Sequence, residues 1–243
     1  AAAVPAVFLT DDATLVTVDS ETWEVQETVE VEGVERLHGI DFRPADNELY
    51  GVDGQNRILR IDPATGSVEE VSTLNTAIPA GATTVAVDFN PAADRLRVTT
   101  GTTNYRINVD TGEVTTDGEL AFTEGDENAS ASPDIVAVAY TNSFEKPEAT
   151  AMYDIDATLG ALIQQTAPND GTLATIGGLG IEGAAPYAFD IHSSDGSENT
   201  AWLVTGGTVY TVDLESGAAT EAGPLEGVEG EVRDVSFMPG PAM

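Results

Sequence analysis

Large apolar residues alternate with small or acidic ones in short runs along this chain, and one such run recurs five times. The copies are Gly39-Ile40-Asp41-Phe42, Ala86-Val87-Asp88-Phe89, Ala137-Val138-Ala139-Tyr140, Ala188-Phe189-Asp190-Ile191 and Asp234-Val235-Ser236-Phe237, spaced 47, 51, 51 and 46 residues apart. A period of two is the signature of a β-strand, whose successive side chains point to opposite faces. Every copy therefore carries two large apolar groups on one face and small or acidic groups on the other. The small face predicts a strand against which a neighbouring sheet packs closely.

A second element alternates with the first. An apolar residue followed by Asp or Asn opens a short turn at Val18-Asp19, Ile61-Asp62, Ile107-Asn108, Ile155-Asp156 and Val212-Asp213, with Gly66, Gly112, Gly160 and Gly217 four residues on. Asp and Asn start turns by accepting backbone N–H bonds, and glycine takes the left-handed position of a bulged hairpin loop. Trp23 occupies the glycine position of the first copy, which predicts a different turn there. Asp53-Gly54, Asp117-Gly118, Asp170-Gly171 and Asp195-Gly196 add further turn signals.

The order of the two elements fixes the topology. The hairpin element comes first and the small-apolar element last, so each end of the chain carries part of one unit. Four complete units lie between, of about 49 residues each, enough for four short strands with turns. The expected fold is all-β, a five-bladed β-propeller over residues 1–243 as one domain. Its fifth blade is closed by the C-terminal strand Val232 to Met238 joining Ala6 to Leu9, Thr14 to Val18 and Trp23 to Val31. A linear solenoid would not need complementary ends. The acidic stretch Thr123 to Pro133 reads as a surface loop of the third unit.

Composition then narrows the setting. Forty-two Asp and Glu face eight Arg and one lysine, Lys146, for a formal net charge of −33, while 41% of the residues are hydrophobic. Carboxylates spread through so apolar a chain coat a folded body rather than form a disordered tail. Their mutual repulsion fades in about 1 M salt, where the screening length is roughly 3 Å, so the expected source is a halophile. Solvent cations are the natural companions of this surface; nucleic acid is excluded, because binding it needs a basic footprint. No apolar run reaches the roughly 20 residues of a membrane-spanning helix. The start, Ala1 to Ala6, lacks the regions of a signal peptide and suits a mature chain after cleavage.

The segments Gly39-Ile40-Asp41-Phe42-Arg43-Pro44 with Leu49-Tyr50-Gly51, Asp88 to Val98, Ala139-Tyr140-Thr141-Asn142-Ser143 and Pro168-Asn169-Asp170-Gly171-Thr172-Leu173 resemble an uncharacterised, often secreted family, domain of unknown function 4394. The resemblance runs over nearly the whole chain. It implies a propeller and an extracellular or cell-surface location, and it transfers no catalytic residue.

The inventory of chemistry is short. The chain has no cysteine, no Gly-x-Ser-x-Gly elbow, no Walker loop and no histidine pair at metal-ligand spacing. His38 and His192 fall at different offsets in their repeats and are not expected to converge. Gly178-Leu179-Gly180-Ile181-Glu182-Gly183 fits a dinucleotide fingerprint in letters only, because Ala184-Ala185-Pro186 and a strand follow where a helix is required. Asn128-Ala129-Ser130 is a glycosylation sequon in a loop.

One column of carboxylates stands out. Asp41, Asp88 and Asp190 share a repeat position, completed by Ala139 and Ser236, on the strand nearest the axis. Such a ring can seat a hard cation, Ca²⁺ or Na⁺, through oxygen ligands, or its members can bond backbone N–H groups and fix the strands. Two functions follow. The first is a non-catalytic extracellular or cell-surface propeller that binds a protein or small-molecule partner or serves as a scaffold. The second is a Ca-dependent hydrolase or lactonase of propeller type, with the ion polarising an ester. They differ in what the axis holds.

Overall fold

The computed structural model describes residues 4–194 and 198–239, and the turn expected at Asp195-Gly196 falls outside them. Five small antiparallel sheets form a closed ring, a five-bladed β-propeller; helix among the described residues is confined to the single 3₁₀ turn Pro168–Asp170. No described helix is long and apolar enough to cross a membrane.

Each blade is ordered from the axis outward. Blade 1 comprises Leu37–Phe42, Leu49–Asp53, Arg57–Ile61 and Val68–Thr73. Blade 2 comprises Ala86–Asn90, Arg95–Thr100, Thr103–Asn108 and Glu113–Thr116. Blade 3 comprises Ile135–Tyr140, Met152–Asp156, Ala161–Ala167 and Thr172–Gly178, and blade 4 Ala188–Ser194, Glu198–Thr205, Thr208–Val212 and Ala219–Pro224. Blade 5 is split across the chain: Val232–Phe237 pairs antiparallel with Pro5–Thr10, followed by Thr14–Asp19 and Val25–Glu30. The five recurring runs are thus the five inner strands. They touch in ring order, and the last touches the first.

Five apolar clusters lie in the five seams between blades. Val87 and Phe89 pack on Tyr50, Val52 and Ile58 of blade 1, and Ile40 and Phe42 pack on Val7, Leu9 and Leu15 of blade 5. The apolar face of each inner strand therefore meets the preceding blade, and the small face meets the next one. A Cβ on Gly39 would sit 2.6 Å from Val87 Cγ2, which is why the smallest side chain stands where blades 1 and 2 come closest.

The hairpin turns follow the expected chemistry with one exception in the expectation itself. Asp62 Oδ1 accepts the Ala64 N–H at 2.9 Å, Asp213 Oδ1 accepts that of Glu215 at 2.8 Å, and Gly66 and Gly217 are left-handed. A Cβ on Gly66 would run into the Glu30 carbonyl of the neighbouring blade. The first turn does not differ as expected. Trp23 is itself left-handed, at φ 58°, and its N–H donates to Asp19 O at 2.7 Å, as the Gly66 N–H does to Asp62 O at 2.8 Å. A bulky residue rarely accepts this backbone. Here the indole is buried edge-on to Trp202, with ring centroids 5.1 Å apart, and to Phe237 at 6.4 Å. That aromatic packing offsets the strain.

Blade 3 has a fifth strand that the repeat does not predict. Ala121–Phe122 pairs parallel with Thr172–Gly178 at the outer edge. The acidic loop behind it is pinned by Asp126, whose carboxylate accepts the Thr175 N–H and hydroxyl at 2.8 and 2.7 Å and the Asn128 N–H at 2.9 Å. Asn128 Nδ2 donates one of its two hydrogens to Thr175 Oγ1 at 2.9 Å.

Two outcomes test this account. Deleting residues 232–243 removes the inner strand of blade 5 and abolishes the cooperative thermal transition, as followed by circular dichroism; a deletion variant that melts like its parent would refute the closure. Trp23→Gly suits the left-handed turn yet lowers stability by about 3 kcal/mol in chemical denaturation, because the lost aromatic burial outweighs the roughly 1 kcal/mol of relieved strain.

Candidate functional site

The small face of each inner strand turns toward the axis and the next blade, and there the carboxylate column assembles. The Phe89 N–H donates to Asp41 Oδ2, the Tyr140 N–H to Asp88 Oδ2 and the Phe237 N–H to Asp190 Oδ2, each at 2.8 Å. Ser236 continues the pattern, its Oγ accepting the Phe42 N–H at 3.0 Å while donating to Asp41 Oδ1 at 2.7 Å. Four of the five seams thus carry one clasp, from the third residue of a run to the N–H of the fourth residue in the next.

Ala139 cannot make the fifth clasp, and the chain closes that seam by other means. Beyond the end of the inner strand of blade 3, the Ser143 N–H donates to Ser193 Oγ at 2.8 Å and the Asn142 N–H to Asn199 Oδ1 at 2.9 Å. One level up, Asp234 makes an extra clasp that the repeat column does not include. Its Oδ2 accepts the Ile40 N–H at 2.9 Å.

The structure brings the three sequence-predicted aspartates together. Asp41, Asp88 and Asp190 are all buried, and one carboxylate oxygen from each lies within 4.8 Å of the others. Burial removes their hydration and favours the neutral form. It pushes Asp41 up to about 6, and it raises Asp88 and Asp190 well above the usual carboxylate range, helped by the charge of Asp41. The closeness of the Asp88 and Asp41 carboxyls lowers Asp41 and raises Asp88. Asp234 keeps part of its surface accessible, yet burial still pushes it up to about 8. Burial and mutual repulsion thus both favour protonation of this column over its full ionisation.

The two histidines stay apart, as their offsets imply. His38 helps line a cavity of about 60 Å³ at the end of the axis where the inner strands begin, with residues 83–85, Val136, residues 185–187 and Arg233 completing its wall. His192 lies beyond Ile191, toward the other end, tilted against Phe237 at 5.9 Å. Burial lowers both below the ordinary histidine value. The glycine-rich run 178–183 starts at the last residue of the strand Thr172–Gly178 and leads toward the inner strand of blade 4 with no helix.

A second concentration of polar groups lies between blades 2 and 3. Arg97 is 1% exposed and donates from Nη1 to Asn104 Oδ1 at 2.9 Å and Asp117 Oδ2 at 2.5 Å, from Nη2 to Asn169 Oδ1 at 2.8 Å, and from Nε to Tyr140 Oη at 3.2 Å. The sequence reading did not single it out. Its signal was the alternation Arg95-Leu96-Arg97-Val98-Thr99, which places Arg97 and Thr99 on one face of a strand and the aliphatic residues on the other.

The same fold is found in solved structures of distant sequence. The fold is similar to that of a protein of unknown function from Bacteroides caccae, with TM-score 0.51 at 15% identity over 94% of this chain and 76% of that one. It is also similar to one of unknown function from Bacteroides thetaiotaomicron, with TM-score 0.58 at 15% identity over 98% of this chain and 66% of that one. No curated protein matches the sequence. The family model of the domain of unknown function DUF4394 matches residues 14–236, which span all five blades, and the chain belongs to that family.

Proposed function

We propose that this propeller is a non-catalytic module, one domain from end to end, that binds a partner or serves as a scaffold outside the cell or at its surface in concentrated salt. One observation carries the reading: Asp41, Asp88 and Asp190 each spend an oxygen on a backbone N–H of the next blade, so the axial charge column is used to hold the ring. The acidic coat of the halophilic reading, net charge −33 with one lysine, suits solvent cations and rejects nucleic acid.

A second reading keeps the metal. With three oxygens inside 4.8 Å, Asp41, Asp88 and Asp190 supply a hard-cation site of the kind Ca²⁺ or Na⁺ takes. In a hydrolase or lactonase that ion would need an open position beside a substrate cleft. The cleft of about 450 Å³ walled by blade 3 and Asn90 and the cavity at the end of the axis are lined by other residues, which supports the scaffold reading over the enzyme.

Salt tests the coat. Dilution from molar KCl to about 10 mM lengthens the screening distance toward 30 Å and lowers the melting temperature or unfolds the protein; an unchanged melting temperature would show that the coat is no salt adaptation.

The titration of the column separates its two readings. Unfolded aspartates titrate near 3.9, whereas Asp41 sits at about 6 and Asp234 at about 8 in the fold. The folded state therefore binds more protons between about pH 4 and pH 8, and stability falls as pH rises across that window, by about 1.4 kcal/mol per pH unit for each extra proton held. In molar KCl, which screens the surface, thermal melts across this range show that slope. Asp88→Asn makes it shallower and lowers stability at pH 5 by about 1–3 kcal/mol, since the Tyr140 N–H then competes with an amide donor. Ca²⁺ at constant ionic strength leaves the parent slope unchanged if the column is structural and flattens it if the triad seats the ion.

A further inference from the structure

The end of the axis where the inner strands begin is built differently from the rest of the ring. Three inner strands carry one extra residue at the same position: His38 lies between the paired Leu37 and Gly39, Val136 between Ile135 and Ala137, and Arg233 between Val232 and Asp234. A bulge of this kind interrupts the ladder and re-aims a side chain. All three bulged residues line the axial cavity of about 60 Å³. Val85 and Tyr187 join them from the other two blades, just before strands that pair without a shift.

The charge of this cavity runs against the charge of the molecule. Other clefts carry carboxylates: Asp170 in the one walled by blade 3, Glu231 in one between blades 4 and 5, and Glu48, Asp62 and Glu69 in one on blade 1. The axial cavity has no carboxylate in its wall, in a chain with 42 Asp and Glu, and it holds Arg233. Arg36, Arg43, Arg57, Arg60, Arg97 and Arg106 each reach a carboxylate. Among the described residues Arg233 reaches none. Its Nε donates to the Asp11 carbonyl and its Nη2 to the carbonyls of Asp12 and Leu37 at 3.0 and 2.8 Å, which leaves Nη1 without a described acceptor. The acids nearby are turned to other partners: Asp12 to Arg36 at 2.7 Å, Asp11 to the Glu231 N–H at 3.2 Å, and Asp234 to the Ile40 and Val235 N–H groups at 2.9 Å.

His38 completes the donor set. It is half-buried, and no described group takes a hydrogen bond from its ring. Burial holds it below the ordinary histidine value, Arg36 and Arg233 push the same way, and Asp53 opposes them. Arg233 in turn is lowered by burial and by Arg36, against Asp234, Asp12 and Asp11. Positive groups thus repel one another at a cavity that no carboxylate lines, and an anion relieves them. Val85, Val136 and Pro186 make much of the remaining wall apolar, and a cavity of about 60 Å³ admits one or two water-sized groups. These dimensions and donors suit a small monovalent anion and leave no room for a phosphate ester.

We propose that the axial cavity binds chloride, or a halide of similar size, with Arg233 Nη1 and the His38 ring N–H as its donors. The site goes beyond the scaffold reading and does not depend on it. Its test is an NMR titration of the two histidines in molar KCl and in potassium gluconate, whose anion is too large for the cavity, at equal ionic strength. Equal ionic strength gives equal screening of the acidic coat. Chloride raises the His38 midpoint by about one pH unit over gluconate, and the rise saturates with chloride concentration. By reciprocity chloride binds more tightly as pH falls through that midpoint. His192, tilted against Phe237 toward the other end of the axis, keeps its midpoint in both salts. Arg233→Gln abolishes the His38 response, and so does Val136→Phe, which fills the cavity and leaves Arg233 in place. Crystals soaked in bromide show an anomalous peak between Arg233 and His38. A His38 midpoint equal in the two salts, a midpoint that moves together with that of His192, or a response that survives Val136→Phe overturns the site, while the salt dependence of the acidic coat is unaffected.

Discussion

The ring depends on one contact repeated at four of its five seams: a side-chain oxygen of an inner strand accepting a backbone N–H of the next blade. Inner strands are sheet edges, and an edge carries unpaired N–H and C=O groups that must be satisfied once water is excluded. At the axis five such edges converge. Asp41, Asp88, Asp190 and Ser236 provide the acceptors from within the strands themselves, so satisfying the edge and fixing the angle between blades are one act. The same economy brings three carboxyl groups within reach of one another, where burial and mutual repulsion raise their affinity for protons.

The parts of this fold that were legible in the sequence are those in which local chemistry repeats. The inner strands announce themselves because a two-residue period with a small face has few other uses, and the turns because Asp or Asn followed by glycine leaves little choice of backbone. The aspartate column was legible for the same reason: residues at one repeat position of a closed ring occupy one level of its axis. What a sequence without partners cannot show is the identity of those partners. That Asp88 bonds the Tyr140 N–H, about fifty residues on, follows only once the blades are set side by side.

Where the sequence reading failed, contacts distant along the chain had overruled local preference. Trp23 takes a glycine backbone because Trp202 and Phe237 close around its indole. The strand Ala121–Phe122 is too short to carry a period, and it exists through parallel pairing with Thr172 and Leu173. Arg97 is visible in the sequence as a charged residue in a strand, but its meaning lies in Asn104, Asp117, Tyr140 and Asn169, which reach it from four separate segments.

The closed ring also explains how one costly seam is tolerated. In a repeat protein each unit interacts chiefly with its neighbours, so an open array containing one weak junction would separate there into two halves. Closure removes that route: parting blades 2 and 3 requires breaking a second seam as well, and the remaining seams are packed with clusters of buried apolar side chains. The Asp88 clasp to Tyr140 and the Arg97 bond to Asn169 further bridge the polar seam itself. A propeller can therefore give up apolar packing between two blades, keep Thr99 Oγ1 and the Asp154 carboxyl buried there without hydrogen bonds, and still fold as a ring.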